Sequence, residues 1–404
     1  MVRVLIVGVP GEGPTGLPSA LLARIEQADD LWGSERLLAH WPDFRGTKVR
    51  IGGDIAARAA ALREHGDRQV VVLASGDPGF YGIAGTLLRV LPADEVEIVP
   101  HASALQVAYA RAGLVWNDAV FTSAHSRPLA EIVGWARRAP KLGILTDPKN
   151  TPGQIAETLL AAGLQDCRAV VAENLGMADE ALTDTRLHDL PDRDFAPLNV
   201  LLLIQDDGWQ SAAAFAPRPD EAYAHRRGLI TKQDVRALSL ARLAIGETST
   251  VWDIGAGSGA VSIEAAELAW RGQVYAIEHD AENLAYIHRN RNHFGALNVT
   301  VVAGRAPEQL AGLPAPDAVF IGGTGGALEA IFSHITEAAR PGCRIAANFA
   351  TLENLNRALT CARELGWVAV VAQVNIAYGN EIAGMTRLAP VNPVFIVSTV
   401  LENL

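Results

Sequence analysis

The chain has 404 residues, 49% hydrophobic and 20% charged, and a formal net charge of −11. This length predicts two or three globular domains, and the composition excludes a disordered chain. The acidic balance argues against nucleic-acid binding, which a basic face would drive, and no apolar run is long enough to span a membrane. Three widely spaced cysteines argue against disulfides and against a metal site, and they predict a cytoplasmic protein.

The first half of the chain alternates short apolar runs with helix-like segments, which predicts an α/β fold. The predicted strands are 2–7, 70–74, 96–99, 119–122, 142–146, 169–172 and 199–204. The predicted helices are 17–28, 83–90, 104–112, 129–138 and 154–162. The pattern restarts at residue 119, which favours two subdomains.

Special residues follow the ends of the first three predicted strands. Gly8 opens the loop after the first, Gly76 and Asp77 lie in a glycine-rich and proline-rich run after the second, and Ser103 follows the third. Because the carboxyl ends of parallel strands share one edge of a sheet, we expect these residues to lie together and to leave room for a ligand. An ordinary tight turn is the alternative for the second run taken alone.

Residues 2–205 resemble the tetrapyrrole (precorrin) methyltransferase family. The run Ser-Gly-Asp-Pro-Gly-Phe-Tyr-Gly at 75–82, the block at 171–180 and Pro-Leu-Asn-Val at 197–200 carry this resemblance. It implies a tetrapyrrole methylase fold of two subdomains that binds S-adenosylmethionine. The residues expected at that donor site are Gly8, Gly76, Asp77 and Ser103.

Pro10 departs from this family's pattern, which usually has a glycine two residues after Gly8. Proline lacks a backbone N–H and has a fixed φ, so it alters the contact that this loop makes with the donor. A first half that has lost donor binding and serves as a scaffold is therefore an alternative.

Residues 208–222 lack periodicity and contain two prolines, which predicts a linker between domains 1–207 and 223–404. The second domain has seven predicted strands, at 250–254, 274–278, 299–303, 318–322, 344–349, 368–376 and 393–400. Seven strands with helices between most of them predict a doubly wound, Rossmann-like methyltransferase sheet whose last strand is antiparallel.

The first strand of this domain runs through Asp253 into a turn with glycine at every second position, Gly255, Gly257 and Gly259. One residue lies between the last two glycines, whereas two residues lie between them in the dinucleotide fingerprint. The carboxylate of Asp253 would also repel a pyrophosphate. S-adenosylmethionine offers an ammonium for Asp253 and a carboxylate for the N–H groups of the turn. Glu278, which ends the next strand, can accept hydrogen bonds from ribose hydroxyls. The pattern predicts a methyl-donor site, and a turn that serves only packing is the alternative.

Residues 223–400 resemble the decarboxylating precorrin methyltransferase family. The resemblance is carried by Gly-Leu-Ile-Thr-Lys at 228–232, the glycine turn, Ala-Ile-Glu-His-Asp at 276–280, the block at 303–308 and Ile-Gly-Gly at 321–323. By this resemblance the residues that contact the donor are Thr231, Gly255, Ala256, Gly257, Ser258, Gly259, Glu278 and Ala306.

The fusion of these two types resembles the bifunctional methyltransferases of cobalamin biosynthesis. It implies that the N-terminal domain methylates C5 of a precorrin-6 macrocycle, while the C-terminal domain methylates C15 and decarboxylates the ring C acetate, giving precorrin-8. Each domain would hold one S-adenosylmethionine, and we expect a homo-oligomer that binds no nucleic acid. The alternative is a nucleic-acid or protein methyltransferase with a non-catalytic N-terminal domain.

Decarboxylation requires a general acid to protonate the macrocycle. The candidates, by position alone, are His225, Lys232 and Tyr378. A polycarboxylate substrate also calls for a cationic rim around its site. The residues predicted to form this rim are His225, Arg226, Arg227, Lys232 and Arg387.

Overall fold

The computed structural model describes residues 4–62, 68–125, 128–207, 209, 211, 216–226 and 228–402. The chain divides into two compact units. The first contains residues 1–127, 139–157 and 166–209, and the second contains 128–138, 158–165 and 210–404. The predicted α/β class is confirmed, because parallel or mixed sheets and their helices form both units.

Five strands form the first sheet: β1 (Val4–Val9), β2 (Asp30–Gly33), β3 (Thr47–Arg50), β4 (Val70–Ser75) and β5 (Val96–Val99). All are parallel, in the order β3-β2-β4-β1-β5. The helices between them are α1 (Ser19–Glu26), α2 (Glu35–Leu38), α3 (Ile55–Ala61) and α4 (Ala84–Leu87). Successive side chains of the interior strand β1 enter two apolar clusters, one on each face of the sheet.

The next elements are α5 (Ala104–Arg111), β6 (Ala119–Ser123), α6 (Leu129–Ala136), β7 (Lys141–Leu145), α7 (Pro152–Ala161), β8 (Arg168–Glu173), β9 (Ala181–Arg186) and β10 (Asn199–Ile204). Their strands form a sheet of order β6-β7-β10-β8-β9, in which the β6–β7 pair is parallel and the other pairs are antiparallel. Helix α5 packs Leu105 and Tyr109 against this sheet. The two sheets correspond to the two predicted subdomains.

The remaining elements are α8 (Gln233–Leu243), β11 (Thr250–Ile254), α9 (Ala260–Leu268), β12 (Gln273–Glu278), α10 (Ala281–His293), β13 (Val299–Ala303), β14 (Ala318–Ile321), α11 (Leu328–Ala338), β15 (Cys343–Phe349), α12 (Leu352–Glu364), β16 (Val370–Val374), β17 (Ala377–Ile382), β18 (Met385–Pro390) and β19 (Val394–Leu401). Seven strands form one sheet of order β13-β12-β11-β14-β15-β19-β16. Strand β19 is antiparallel to both neighbours, so the predicted doubly wound sheet is confirmed.

Each face of this seven-stranded sheet carries its own apolar cluster. Helices α8, α9 and α10 cover one face, and α11 and α12 cover the other. The hairpin of β17 and β18 lies outside the sheet, and almost all of its residues are exposed. In the described part of the chain, no helix combines the length and the apolar character needed to cross a membrane.

Candidate active site

A cavity of about 790 Å³ lies at the carboxyl ends of strands β11 to β15 in the second unit. This edge is where doubly wound sheets bind their ligands. Most of the residues predicted to contact the donor line this cavity, and Asp253 and Gly259 do not. The predicted residues that line it are Thr231, Gly255, Ala256, Gly257, Ser258, Glu278 and Ala306.

The turn after β11 depends on glycine for its backbone shape. Gly255, Gly257 and Gly259 have φ angles of +71°, +57° and +79°, in the left-handed region that glycine adopts at no steric cost. A Cβ on Gly255 would lie 2.5 Å from the carbonyl oxygen of Gly323. A Cβ on Gly257 would meet no atom within 4 Å, so the space above this residue is open to a ligand. This backbone cradle fits the amino-acid end of S-adenosylmethionine.

Glu278 is held in place by backbone N–H groups. Its Oε2 accepts a hydrogen bond of 2.8 Å from Gly257 N–H, and its Oε1 accepts bonds of 2.8 and 2.9 Å from the N–H groups of His279 and Asp280. An ionised carboxylate has about four acceptor positions, so this one retains capacity for a ribose hydroxyl. The same side chain therefore fixes the glycine turn and faces the cavity.

Asp253 lies behind the glycine turn. Its side chain is fully buried, Oδ2 accepts a hydrogen bond from the Ser262 hydroxyl, and Oδ1 has no hydrogen-bond partner among the described residues. Burial raises the pKa of this carboxyl group to about 7. Because Asp253 does not line the cavity, an effect on the donor's ammonium has to pass through the turn or through water.

We expect Asp253 to make the donor-free protein less stable as pH rises from about 4 to about 7. Its pKa in the folded state is raised, so the native state keeps a proton that the unfolded state releases above its own lower pKa. The loss is complete once pH passes the folded pKa. Urea unfolding of wild type and Asp253→Asn at several pH values measures this contribution as a difference. If the free energy of unfolding changed with pH in the same way in both proteins, the raised pKa of Asp253 would be contradicted.

The three strand ends of the first unit meet as predicted. A Cβ on Gly8 would lie 2.0 Å from the carbonyl oxygen of Gly76 and 2.6 Å from the backbone nitrogen of His101. Asp77 accepts a hydrogen bond of 2.8 Å from Gly79 N–H, and Ser103 caps helix α5. The Asp77 and Ser103 side chains thus shape the backbone at this edge of the sheet.

Pro10 is buried, and its carbonyl accepts a hydrogen bond of 3.1 Å from Gly13 N–H. A Cβ on the next residue, Gly11, would lie 2.0 Å from the carbonyl oxygen of Leu175. The loop that contains Pro10 therefore packs closely against the 171–180 block, which is one of the segments that carried the first resemblance.

The sequence matches two family models in succession. The model of tetrapyrrole (corrin/porphyrin) methylases covers residues 3–191, and the model of the precorrin methyltransferase domain covers residues 221–400. A precorrin-6Y C(5,15)-methyltransferase (decarboxylating) from Sinorhizobium sp is 34% identical over 401 residues, which are 96% of this chain and 94% of the relative. The chain belongs to this family. The predictions of both folds and of a methyltransferase are thereby confirmed, and S-adenosylmethionine is the methyl donor of this class.

Two other relatives each match less than half of this chain. Cobalt-precorrin-7 C(5)-methyltransferase of Salmonella typhimurium is 38% identical over 188 residues, 45% of this chain and 89% of the relative. Cobalt-precorrin-6B C(15)-methyltransferase (decarboxylating) of the same organism is 35% identical over 175 residues, 43% of this chain and 90% of the relative. The two methylations named together for the Sinorhizobium relative are thus named separately for these proteins.

The predicted cationic rim is only partly present in this family member. Arg226 and Lys232 line the cavity, but Arg226 Nε lies 3.1 Å from Glu282 and Lys232 Nζ lies 3.1 Å from Asp220. His225 and Arg387 do not line it. Arg227 falls outside the described residues. The cations that the sequence suggested are therefore largely neutralised by carboxylates of the protein or lie elsewhere.

The three candidate acids differ in their access to the cavity. Lys232 lines it, whereas His225 Nδ1 lies 2.9 Å from the carbonyl oxygen of Tyr223. The Tyr378 hydroxyl donates a hydrogen bond of 2.6 Å to Asp234, which raises the pKa of Tyr378 to about 12. Of the three, the geometry favours Lys232.

The structure also shows two asparagines that the sequence did not suggest, one in the cavity wall and one behind it. Asn348, near the carboxyl end of β15, lines the cavity, and its side chain lies 3.1 Å from the Ser239 hydroxyl. Asn290 on α10 donates hydrogen bonds of 2.8 and 2.9 Å to the carbonyl oxygens of Ala224 and Ser258. An asparagine directly after the apolar run 345–347 was a usable signal for Asn348, whereas Asn290 stands in a polar helix with no such contrast.

A buried ion pair supports the segment that carries Thr231. Arg236 is fully buried, and its Nε donates a hydrogen bond of 2.8 Å to Glu264, which is also fully buried. The Nη1 and Nη2 atoms donate bonds of 2.6 Å to the carbonyl oxygens of Thr231 and Arg218. One guanidinium thus joins helix α9, the cavity wall and the segment before α8.

Proposed function

We propose that this protein methylates C5 and C15 of a precorrin-6 macrocycle and decarboxylates its ring C acetate, giving precorrin-8 in cobalamin biosynthesis. One observation carries the proposal: a relative named for both methylations and for decarboxylation matches 96% of the chain. The comparisons do not favour a nucleic-acid or protein methyltransferase, and the net charge of −11 counts against a nucleic-acid partner.

The proposed division of labour follows the domains expected from the sequence. Residues 1–207 methylate C5, residues 223–404 methylate C15 and release carbon dioxide, and 208–222 link them. The bounds of the two family models and the half-length relatives named for one methylation each support this division. Each domain binds one S-adenosylmethionine. The residues proposed for the first site are Gly8, Gly76, Asp77 and Ser103, and those for the second are Thr231, Asp253, Gly255, Ala256, Gly257, Ser258, Gly259, Glu278 and Ala306.

S-adenosylmethionine, when bound, supplies an electrophilic methyl group. The reduced macrocycle has electron-rich meso carbons, so the protein need only position the two reactants and keep water out. The glycine-rich loop after β14 is open, since a Cβ on Gly323 would meet no atom within 4 Å, and this suits a large flat substrate. Lys232 is the proposed proton donor for decarboxylation, with its ammonium held by Asp220.

We also propose a homo-oligomer in the cytoplasm. The hairpin of β17 and β18 exposes Ile382, Met385 and Leu388 at 49%, 71% and 66%, and exposed apolar side chains in a group mark interaction surfaces. All three cysteines are buried and free, which fits a reducing compartment.

Full-length Glu278→Ala should separate the two methylations. Loss of the ribose hydrogen bond to this charged acceptor should weaken donor binding at the second site by about 2 kcal/mol, or roughly 30-fold. Mass spectrometry of the products should then show C5 methylation continuing while C15 methylation and release of carbon dioxide slow. Glu308→Ala is the matched control, because Glu308 lines the same cavity but, unlike Glu278, makes no hydrogen bond with the glycine turn.

Calorimetry on the wild type completes this test. Two donor equivalents per chain support one site in each domain, and one equivalent supports a scaffold role for the first. Unchanged donor affinity in Glu278→Ala would contradict the ribose assignment. A precorrin-6 macrocycle that gains no methyl group with the wild-type enzyme would refute the proposed function.

A further inference from the structure

Two of the cations that line the cavity of the second unit form ion pairs with carboxylates, and a third forms none with the described residues. Arg226 is paired with Glu282, and Lys232 is paired with Asp220. Arg305 lines the same cavity, and its side chain has no hydrogen bond or ion pair with another residue in the described part of the chain. The cavity wall thus holds a guanidinium that pairs with no carboxylate in the described part of the chain.

Arg305 lies on the side of the cavity that faces the glycine-rich loop after β14. It stands in the loop after β13, beside Ala306, and a Cβ on Gly325 would lie 3.2 Å from its Nη1. The glycine turn that fits the donor's amino-acid end follows a different strand, β11. The guanidinium therefore lies over the loop left open for the flat substrate.

The charge around Arg305 shows why an unpaired cation matters here. Glu278, Asp280 and Glu308 also line the cavity and would repel an anionic ligand. A cation that is already paired has to give up its partner before it can bind a substrate carboxylate, so its net contribution is small. Arg305 has no ion-pair partner among the described residues to give up, so it can bind a substrate carboxylate without that loss.

We propose that Arg305 binds a side-chain carboxylate of the tetrapyrrole and so holds the macrocycle over the loop after β14. This inference rests on the proposed function, because it takes a polycarboxylated macrocycle as the ligand. The planar guanidinium can donate two parallel hydrogen bonds to one carboxylate, and this two-point contact fixes orientation as well as position.

The test compares Arg305→Gln with Arg226→Gln, which removes a cation of the same cavity that is already paired. In the full-length enzyme, Arg305→Gln should raise KM for the precorrin-6 macrocycle about fivefold to tenfold at low salt, with kcat little changed. Arg226→Gln should raise KM less than about twofold. The difference between wild type and Arg305→Gln should shrink at high salt, and Arg305→Lys should restore part of the loss, since it keeps the charge but not the two-point contact.

Calorimetry with S-adenosylmethionine identifies which carboxylate is bound. Unchanged donor affinity in Arg305→Gln, together with the raised KM, supports the tetrapyrrole. Weakened donor affinity would assign Arg305 to the donor's own carboxylate and overturn the inference, as would a wild-type KM in Arg305→Gln. A wild-type enzyme that does not bind the macrocycle in an absorbance titration would overturn the proposed function, and this inference with it.

Discussion

Glu264→Ala should destabilise the second unit by about 3 to 5 kcal/mol, the usual result of removing one partner from a buried ion pair. Glu264 accepts hydrogen bonds of 2.8 Å from Arg236 and 3.0 Å each from the Tyr223 hydroxyl and Arg218 N–H. Without it, Asp220, at 3.3 Å, is the one carboxylate partner left to the fully buried guanidinium among the described residues. The loss is large because the desolvated charge cannot reach water.

Urea unfolding followed by tryptophan fluorescence measures this effect. Glu329→Ala is the control, because its ion pair with Arg357 is about half exposed and should contribute less than about 1 kcal/mol. Replacing both buried partners, as in Arg236→Met with Glu264→Leu, should cost less than Glu264→Ala alone, since no charge is left unpaired. If Glu264→Ala and Glu329→Ala lowered the free energy of unfolding equally, the buried ion pair would contribute no more to stability than the exposed one.

Glu264→Ala should also weaken donor binding at the second site. Arg236 holds the carbonyl oxygen of Thr231 at 2.6 Å, and Thr231 lines the cavity. A guanidinium that moves to find a new partner releases this segment. We therefore expect Glu264→Ala to lose donor affinity even under conditions in which most of the protein remains folded.

The second large effect is expected for Gly255→Ala. A non-glycine residue in the left-handed region costs about 1 to 2 kcal/mol, and overpacking adds about 1 to 3 kcal/mol. The Cβ would lie within 2.8 Å of three backbone atoms of Gly323, so the turn after β11 or the loop after β14 has to move. Because both segments line the cavity, donor affinity at the second site should fall at least about 30-fold.

Gly323→Ala is the matched control for this effect. Its Cβ would meet no atom within 4 Å, and its φ lies outside the left-handed region, so it should unfold at nearly the wild-type temperature. Thermal unfolding and calorimetric donor titration of the two variants provide the comparison. Wild-type donor affinity in Gly255→Ala would show that the turn tolerates a side chain and does not cradle the donor.

The sequence alone determined the sheet of the second unit and the place of its cavity. Strand β14 forms at Ala318–Ile321, within the predicted range 318–322, because a strand buried on both faces appears as a continuous apolar run. The convergence of Gly8 with Gly76 was also predictable, since parallel strands end at one edge. Strand β2 was missed because its four residues, Asp-Leu-Trp-Gly, contain only two apolar side chains, and the exposed β17 and β18 were missed because strands that face solvent show no hydrophobic pattern.

Only the tertiary structure decided which charges are available to a ligand. Arg226 and its partner Glu282 are 56 residues apart, and Arg236 and Glu264 are 28 apart. Such pairs form between separate elements of the fold, so the residues next to a cation do not reveal whether it is paired. The sequence therefore drew attention to the basic segment before α8. The folded chain pairs Arg226 and Lys232 of this segment with carboxylates, whereas Arg305 has no carboxylate partner among the described residues.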